Sequence, residues 1–245
     1  MSIRSNQPEL LDGKNIPFKD IRENLRELEI INALLGGHAI TLKAFRELAI
    51  GTKKIHICEI GCGGGDNLKM IHRWCKKKGI ELQVTGIDIN PECIAFARDN
   101  CREIEHAEWI ISDFRTADIK NRPDILFASL FCHHFNDTEV SGIMHWMHAH
   151  TRLGFFINDL HRHSLAFHSI KMLTRIFSRS HLVRNDAPLS VLRGFRKHEL
   201  HGMMSKALES DPATSYSLTW QWAFRWMIIC PTVSTPDSNA RNGNI

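Results

Sequence analysis

His133 and His134 stand side by side at the end of the apolar run ASLFCHHF, residues 128–135. Histidine changes charge near neutral pH, so an imidazole at the end of a buried strand can take a proton from a hydroxyl. As a general base it contributes roughly 10²-fold or more to a rate. Consecutive residues at a strand end point in different directions. One of the two should therefore face a cleft while the other orients a loop, and His133 is read as the one facing it. The segment Asn158-Asp159-Leu160-His161-Arg162-His163 ends the next apolar run. There His161 or Asp159 can assist an acceptor, Asp159 is also a natural helix N-cap, and Arg162 can hold an acidic or enolic oxygen.

Eight of the chain's 15 histidines lie between His133 and His168. They do not carry the spacing of a metal site: there is no CxxC pair and no HExxH helix, and Cys58 with Cys62 straddles a strand-to-loop junction. No metal is expected. The seven cysteines sit mostly inside apolar patterns, as reduced thiols used for packing do.

A second constellation begins at Glu59-Ile60-Gly61-Cys62-Gly63-Gly64-Gly65-Asp66, where an apolar strand runs straight into a glycine turn. Glycine permits the turn and lets backbone amides approach a ligand. A dinucleotide site wants a third glycine at position 66 and a loop friendly to pyrophosphate. Asp66 stands there instead, with Glu59 just before the turn, and both carboxylates suit a cation. S-adenosyl-L-methionine carries a sulfonium and an ammonium and no phosphate. Asp88 follows about 20 residues past the loop, placed to accept the ribose hydroxyls. Asp113 can accept from the adenine amine while Phe114 packs on the ring.

These residues require a scaffold of strands with ligand groups at their carboxyl ends. Short apolar runs at 55–60, 82–87, 108–112, 124–131 and 153–158 alternate with helical patterns, the pattern of βαβ units and a parallel sheet. Asn90 and Pro91 mark a helix start. Residues 20–50 read as amphipathic helices broken at Gly36-Gly37. SYSLTWQWAFRWMIIC reads as two final β segments, and residues 231–245 as a disordered tail.

Taken in order, HICEIGCGGGDNL, VTGIDINPECIAFAR, ISDF and DILFASLFCHHF resemble the class I S-adenosylmethionine-dependent methyltransferases over about residues 50–160. Within that group the chain is similar to the small-molecule branch of ubiquinone and menaquinone methyltransferases. NDLHRHSLAFHSIKMLTRIFSRS with DAPLSVLRGF resembles small O-methyltransferases of phenolic or polyketide pathways. The resemblance implies an α/β, Rossmann-like fold: a mostly parallel seven-stranded sheet with helices on both faces and helical lid segments. The corresponding organisation is an N-terminal helical cap at 1–50 and a methyltransferase domain at 51–230, with a lid at 161–195. It implies cofactor contacts from Glu59, Gly61, Cys62, Gly63, Asp88, Ile89, Asp113 and Phe114, with Ser129 and Leu130 at the loop after the fourth strand. His133, His134 and His161 are the candidate catalytic residues.

The expected activity is O-methylation of a hydrophobic, phenolic or polyketide-like small molecule, since Phe167, Ile170, Leu173, Ile176 and Phe177 would give the cleft an apolar cover. C- or N-methylation, a non-catalytic cofactor-binding role and RNA methylation are the competing readings. With 245 residues, 43% of them hydrophobic, the chain can fill one core. The net charge of +4 is scattered, so no nucleic-acid partner is expected. No run reaches the roughly 18 apolar residues of a membrane span, and MSIRSNQPELLDG lacks the apolar stretch of a signal peptide. A soluble cytoplasmic protein is expected. Its oligomeric state is left open, a homodimer included.

Overall fold

The computed structural model describes residue 1, residues 3–13 and residues 16–232. All but two residues of the expected disordered tail lie outside these. Among the described residues seven strands form one sheet: β1 (Lys54–Ile60), β2 (Glu81–Asp88), β3 (Ala107–Ile111), β4 (Ile125–Ser129), β5 (Gly154–Leu160), β6 (Ser217–Gln221) and β7 (Arg225–Pro231). Their order is β3-β2-β1-β4-β5-β7-β6. The first five strands are parallel, and β7 lies antiparallel between β5 and β6. Strand order reverses between β1 and β4, so a crevice opens at the carboxyl ends of these two strands.

Among the described residues eight α-helices accompany the sheet: α1 (Phe18–Leu34), α2 (Gly37–Leu48), α3 (Asp66–Lys78), α4 (Pro91–Asn100), α5 (Asp137–His150), α6 (Ser164–Phe177), α7 (His181–Arg193) and α8 (Lys197–Ala207). The strands are apolar on both faces because both are covered. Leu126 and Ala128 pack with Val140, Met144 and Met147 of α5 and Leu200 and Met204 of α8. Ile125 and Phe127 point the other way, into a core with Phe45 of α2, Leu68 and Ile71 of α3 and Ile94 of α4. At its centre Phe127 stacks on Phe156, with ring centroids 4.7 Å apart and planes 13° from parallel.

Local chemistry fixes the helix starts. Asn90 accepts from the Glu92 amide at 2.9 Å with Pro91 in the first turn of α4. Asn136 and Glu139 close a reciprocal capping box on α5.

The chain departs from the sequence reading in two places. β4 stops at Ser129, not at Phe131, because Leu130 takes a left-handed φ of 53° that ends the ladder. The N-cap of α6 is His163, which accepts from the Leu165 amide at 3.2 Å, and not Asp159. Asp159 stays inside β5 because β7 pairs with that strand through Leu160. The segment expected as a lid, 161–195, holds two helices, α6 and α7. The turn between them is held by Glu27 of α1, which accepts from Ser178 Oγ and from the Arg179 and Ser180 amides.

Phe127 is fully buried on a sheet covered on both sides. Phe127→Ala should lower unfolding stability by about 3–5 kcal/mol, read as a drop in the urea midpoint with an unchanged slope.

Candidate active site

A cavity of about 420 Å³ occupies the crevice. Its walls come from the glycine loop, the end of β4, helix α1, the lid helices α6 and α7, and the turn before β7.

The glycine loop is fixed from two sides. At Gly61, φ is +65°, and a Cβ would lie 2.0 Å from the ring of Phe131; both conformation and space require glycine. The Asp88 carboxylate, at the end of β2, accepts from the amides of Gly63 and Asn90, each at 2.9 Å. Glu59 is 1% exposed and accepts at one oxygen from Asn67 Nδ2 at 2.8 Å, while its Oε2 is buried with no hydrogen-bond partner. Burial, with Asp66 and Asp88 nearby, holds the Glu59 carboxyl well above the usual carboxylate range. Asp66 differs: despite burial, His38 at 2.6 Å and Asn32 at 3.1 Å keep it below its ordinary value.

Other polar atoms on this wall also lack partners. Asn32 Oδ1, Asn67 Oδ1 and Ser129 Oγ are buried without one, as are the donors Asn24 Nδ2 and Arg225 Nη1. Such atoms are costly unless a ligand or water completes them.

The histidines form the other end. His133 is 3% exposed, and its Nδ1 lies 2.7 Å from Asp159 Oδ1, while its amide donates to Asp159 Oδ2 at 3.2 Å. Its Nε2 is 3.5 Å from Glu9 Oε1. Burial alone would depress this imidazole, but Asp159 and Glu9 outweigh it and lift the pKa to about 9. His134 is more open; its Nδ1 is 3.1 Å from Asp12 Oδ1 and its Nε2 is 4.0 Å from Glu9 Oε2. Glu9, His133 and His134 bring one donor atom each within 4.8 Å of one another.

Residues 7–12 are tied down here. The Asp186 carboxylate of α7 accepts from the Leu10 and Leu11 amides at 2.8 and 2.9 Å, and Ser190 donates to Glu9 at 2.7 Å. Arg193, 6% exposed, donates to the carbonyls of Gln7, His133 and His134.

Of the residues expected to contact a cofactor, Glu59, Gly61, Cys62, Gly63, Ser129 and Leu130 line the cavity. Asp88 lies beneath the loop, Ile89 is 72% exposed beside it, and Asp113 is engaged by Arg115. Phe114 turns inward to pack edge-on against Phe131, Phe135 and Trp146. Of the candidate catalytic histidines, His133 and His134 line the cavity, whereas His161 packs against Trp226 and accepts from Trp220 Nε1 at 3.2 Å. Arg162 is 2% exposed and forked onto Glu199 of α8, and it is not among the residues lining the cavity.

Sequence reasoning missed Glu9, Asn24, Asn32, Asn67 and Arg225. A signal existed for three of them. Asn24 and Asn32 interrupt the apolar face of α1, and Arg225 is the one charge in an aromatic and apolar strand pair.

Residues 57–154 match the family model described as a methyltransferase domain. No curated protein matches the sequence. Among solved structures, the plantazolicin methyltransferase in complex with S-adenosylhomocysteine is 15% identical, with a TM-score of 0.62 over 86% of this chain and 98% of that one. The magnesium protoporphyrin IX methyltransferase of Synechocystis PCC 6803, also with S-adenosylhomocysteine, is 13% identical, with a TM-score of 0.51 over 89% of each chain. A putative O-methyltransferase from Nostoc punctiforme PCC 73102 is 15% identical, with a TM-score of 0.57 over 85% of this chain and 60% of that one. The fold is the Rossmann-like one of these methyltransferases, and residues 57–154 are similar to a methyltransferase domain. No helix among the described residues is long and apolar enough to cross a membrane.

The raised pKa of His133 sets a pH-dependent stability. The charged groups facing this ring are Asp159 from β5 and Glu9 from the N-terminal segment, with His134 beside it. A folded value near 9 against an ordinary value near ~6.5 means that the stabilisation is complete below the lower value and lost as pH rises through the upper. The melting temperature of the wild type should therefore exceed that of His133→Gln at pH 6, with the gap closing by pH ~9.5. A gap that does not change with pH would show that folding leaves the imidazole pKa unshifted.

Proposed function

We propose that this S-adenosylmethionine-dependent methyltransferase methylates a hydroxyl of a hydrophobic aromatic small molecule, with His134 as the proton acceptor. The observation that carries this reading is one enclosure reaching from the glycine loop to the histidine pair. It is walled by Leu25, Leu28 and Ile31 of α1 and Ile170, Leu173 and Val191 of the lid. An apolar wall with a few convergent polar groups suits an aromatic acceptor better than a charged polymer.

The residues present fit the cofactor. Glu59 and its partnerless Oε2, with Asn67 and Ser129, offer acceptors for a cation, and the Gly61–Gly65 turn admits a ligand against the backbone. When bound, S-adenosylmethionine supplies a methyl group on a sulfonium, transferred in line to the acceptor oxygen as S-adenosylhomocysteine leaves. The chain's part is alignment, exclusion of water by α1, α6 and α7, and removal of the acceptor's proton.

His133 is held as an imidazolium between carboxylates and does not serve as the base. His134 presents its Nδ1 to Asp12, a carboxylate that favours a proton there, and in that tautomer Nε2 is the accepting nitrogen. The role first read onto His133 thus moves one residue along. The name of the putative O-methyltransferase among the structural neighbours agrees in the acceptor atom. In C- or N-methylation the acceptor needs no base, and His134 would only shape the cavity.

Calorimetry with S-adenosylhomocysteine should show one saturable site, weakened about tenfold or more by Glu59→Ala. No binding to the wild type would overturn the cofactor assignment. With a phenol that the wild type methylates, His134→Gln should reduce kcat roughly 10²-fold at pH 7, and recover as the pH approaches the phenol pKa near ~10. An unchanged rate at pH 7 would instead favour C- or N-methylation.

A further inference from the structure

Arg225 opens β7 with a side chain that is buried, 3% exposed, yet lines the cavity. Its Nη1 has no hydrogen-bond partner. The carboxylates nearest in charge, Asp66 and Asp159, are engaged elsewhere: Asp66 with His38 and Asn32, Asp159 with His133 and the Leu160 amide. Burial brings the guanidinium down to about 10, still charged at neutral pH. A buried cation without a dedicated anion is destabilising.

The partnerless atoms of the cavity are of both signs. Glu59 Oε2, Asn32 Oδ1 and Asn67 Oδ1 are acceptors, whereas Arg225 Nη1 and Asn24 Nδ2 are donors. Acceptors complete an ammonium and donors complete a carboxylate, so the set as a whole matches an α-amino acid zwitterion. Gly37 keeps the space beside Arg225 clear: a Cβ there would lie 3.1 Å from the guanidinium carbon and collide with Asn32.

We propose that Arg225 is the carboxylate receptor of the cavity, binding the α-carboxylate at the methionine end of the cofactor. The assignment rests on the proposed function only for the identity of that zwitterion. An aromatic acceptor bearing a carboxylate would present the same chemistry, and the test separates the two sources.

The full chain and Arg225→Met are titrated with S-adenosylhomocysteine, with the same compound lacking its α-carboxylate, and with 2-hydroxybenzoate against phenol. The substitution should weaken S-adenosylhomocysteine about 30-fold or more, leave the decarboxylated compound unchanged, and raise the melting temperature of the ligand-free protein. A loss confined to 2-hydroxybenzoate would keep the receptor and assign it to the acceptor. Equal weakening of both cofactor forms, no weakening of any carboxylate ligand, or a lower melting temperature would overturn the proposal. A wild type that fails to bind S-adenosylhomocysteine but distinguishes 2-hydroxybenzoate from phenol through Arg225 would overturn the proposed function and leave the receptor standing.

Discussion

The buried contact of His133 with Asp159 and Glu9 joins three segments that are remote in sequence: the turn after β4, the end of β5 and the strand-like residues before α1. Each of these ions is expensive to bury alone, and together they neutralise one another only in this arrangement. Arg193 of α7 then donates to the carbonyls of both histidines and of Gln7. The position of the lid, the closure of the N-terminal segment and the direction of His134 all follow from this one charge assembly.

The rest of the cavity shows the opposite situation. Along its wall several polar atoms are buried and incomplete, acceptors on Glu59, Asn32 and Asn67 and donors on Arg225 and Asn24. The histidine end is closed by its own ion pairs, while the loop end is organised for a ligand. Between them lies an apolar wall from α1, α6 and α7. A site of this kind gives up stability in the free protein for complementarity in the bound one.

The five parallel strands, the glycine turn and the carboxylates after β1 and β2 were legible because each depends on local pattern: apolar runs of strand length, glycine where φ must be positive, and a cap such as Asn90 before Pro91. The histidine pair was legible as chemistry but not as roles. His133 and His134 are equivalent in sequence, and what separates them is Asp159 on one and Asp12 on the other, supplied by segments 26 and 122 residues away. Phe114 faces the core, and Asp159 remains in its strand, because of neighbours that no local window contains.

The sequence by itself determined the alternation of strands and helices, the turn that admits a cofactor and the supply of carboxylates and imidazoles, since backbone conformation and hydrophobic period are written in adjacent residues. Tertiary structure alone decided which of those groups are charged, paired or left open. Burial and proximity set the pKa of His133, the pairing of His134 with Asp12 and the isolation of Arg225. They exist only once β5, β7, α1 and the lid have come together around one cavity.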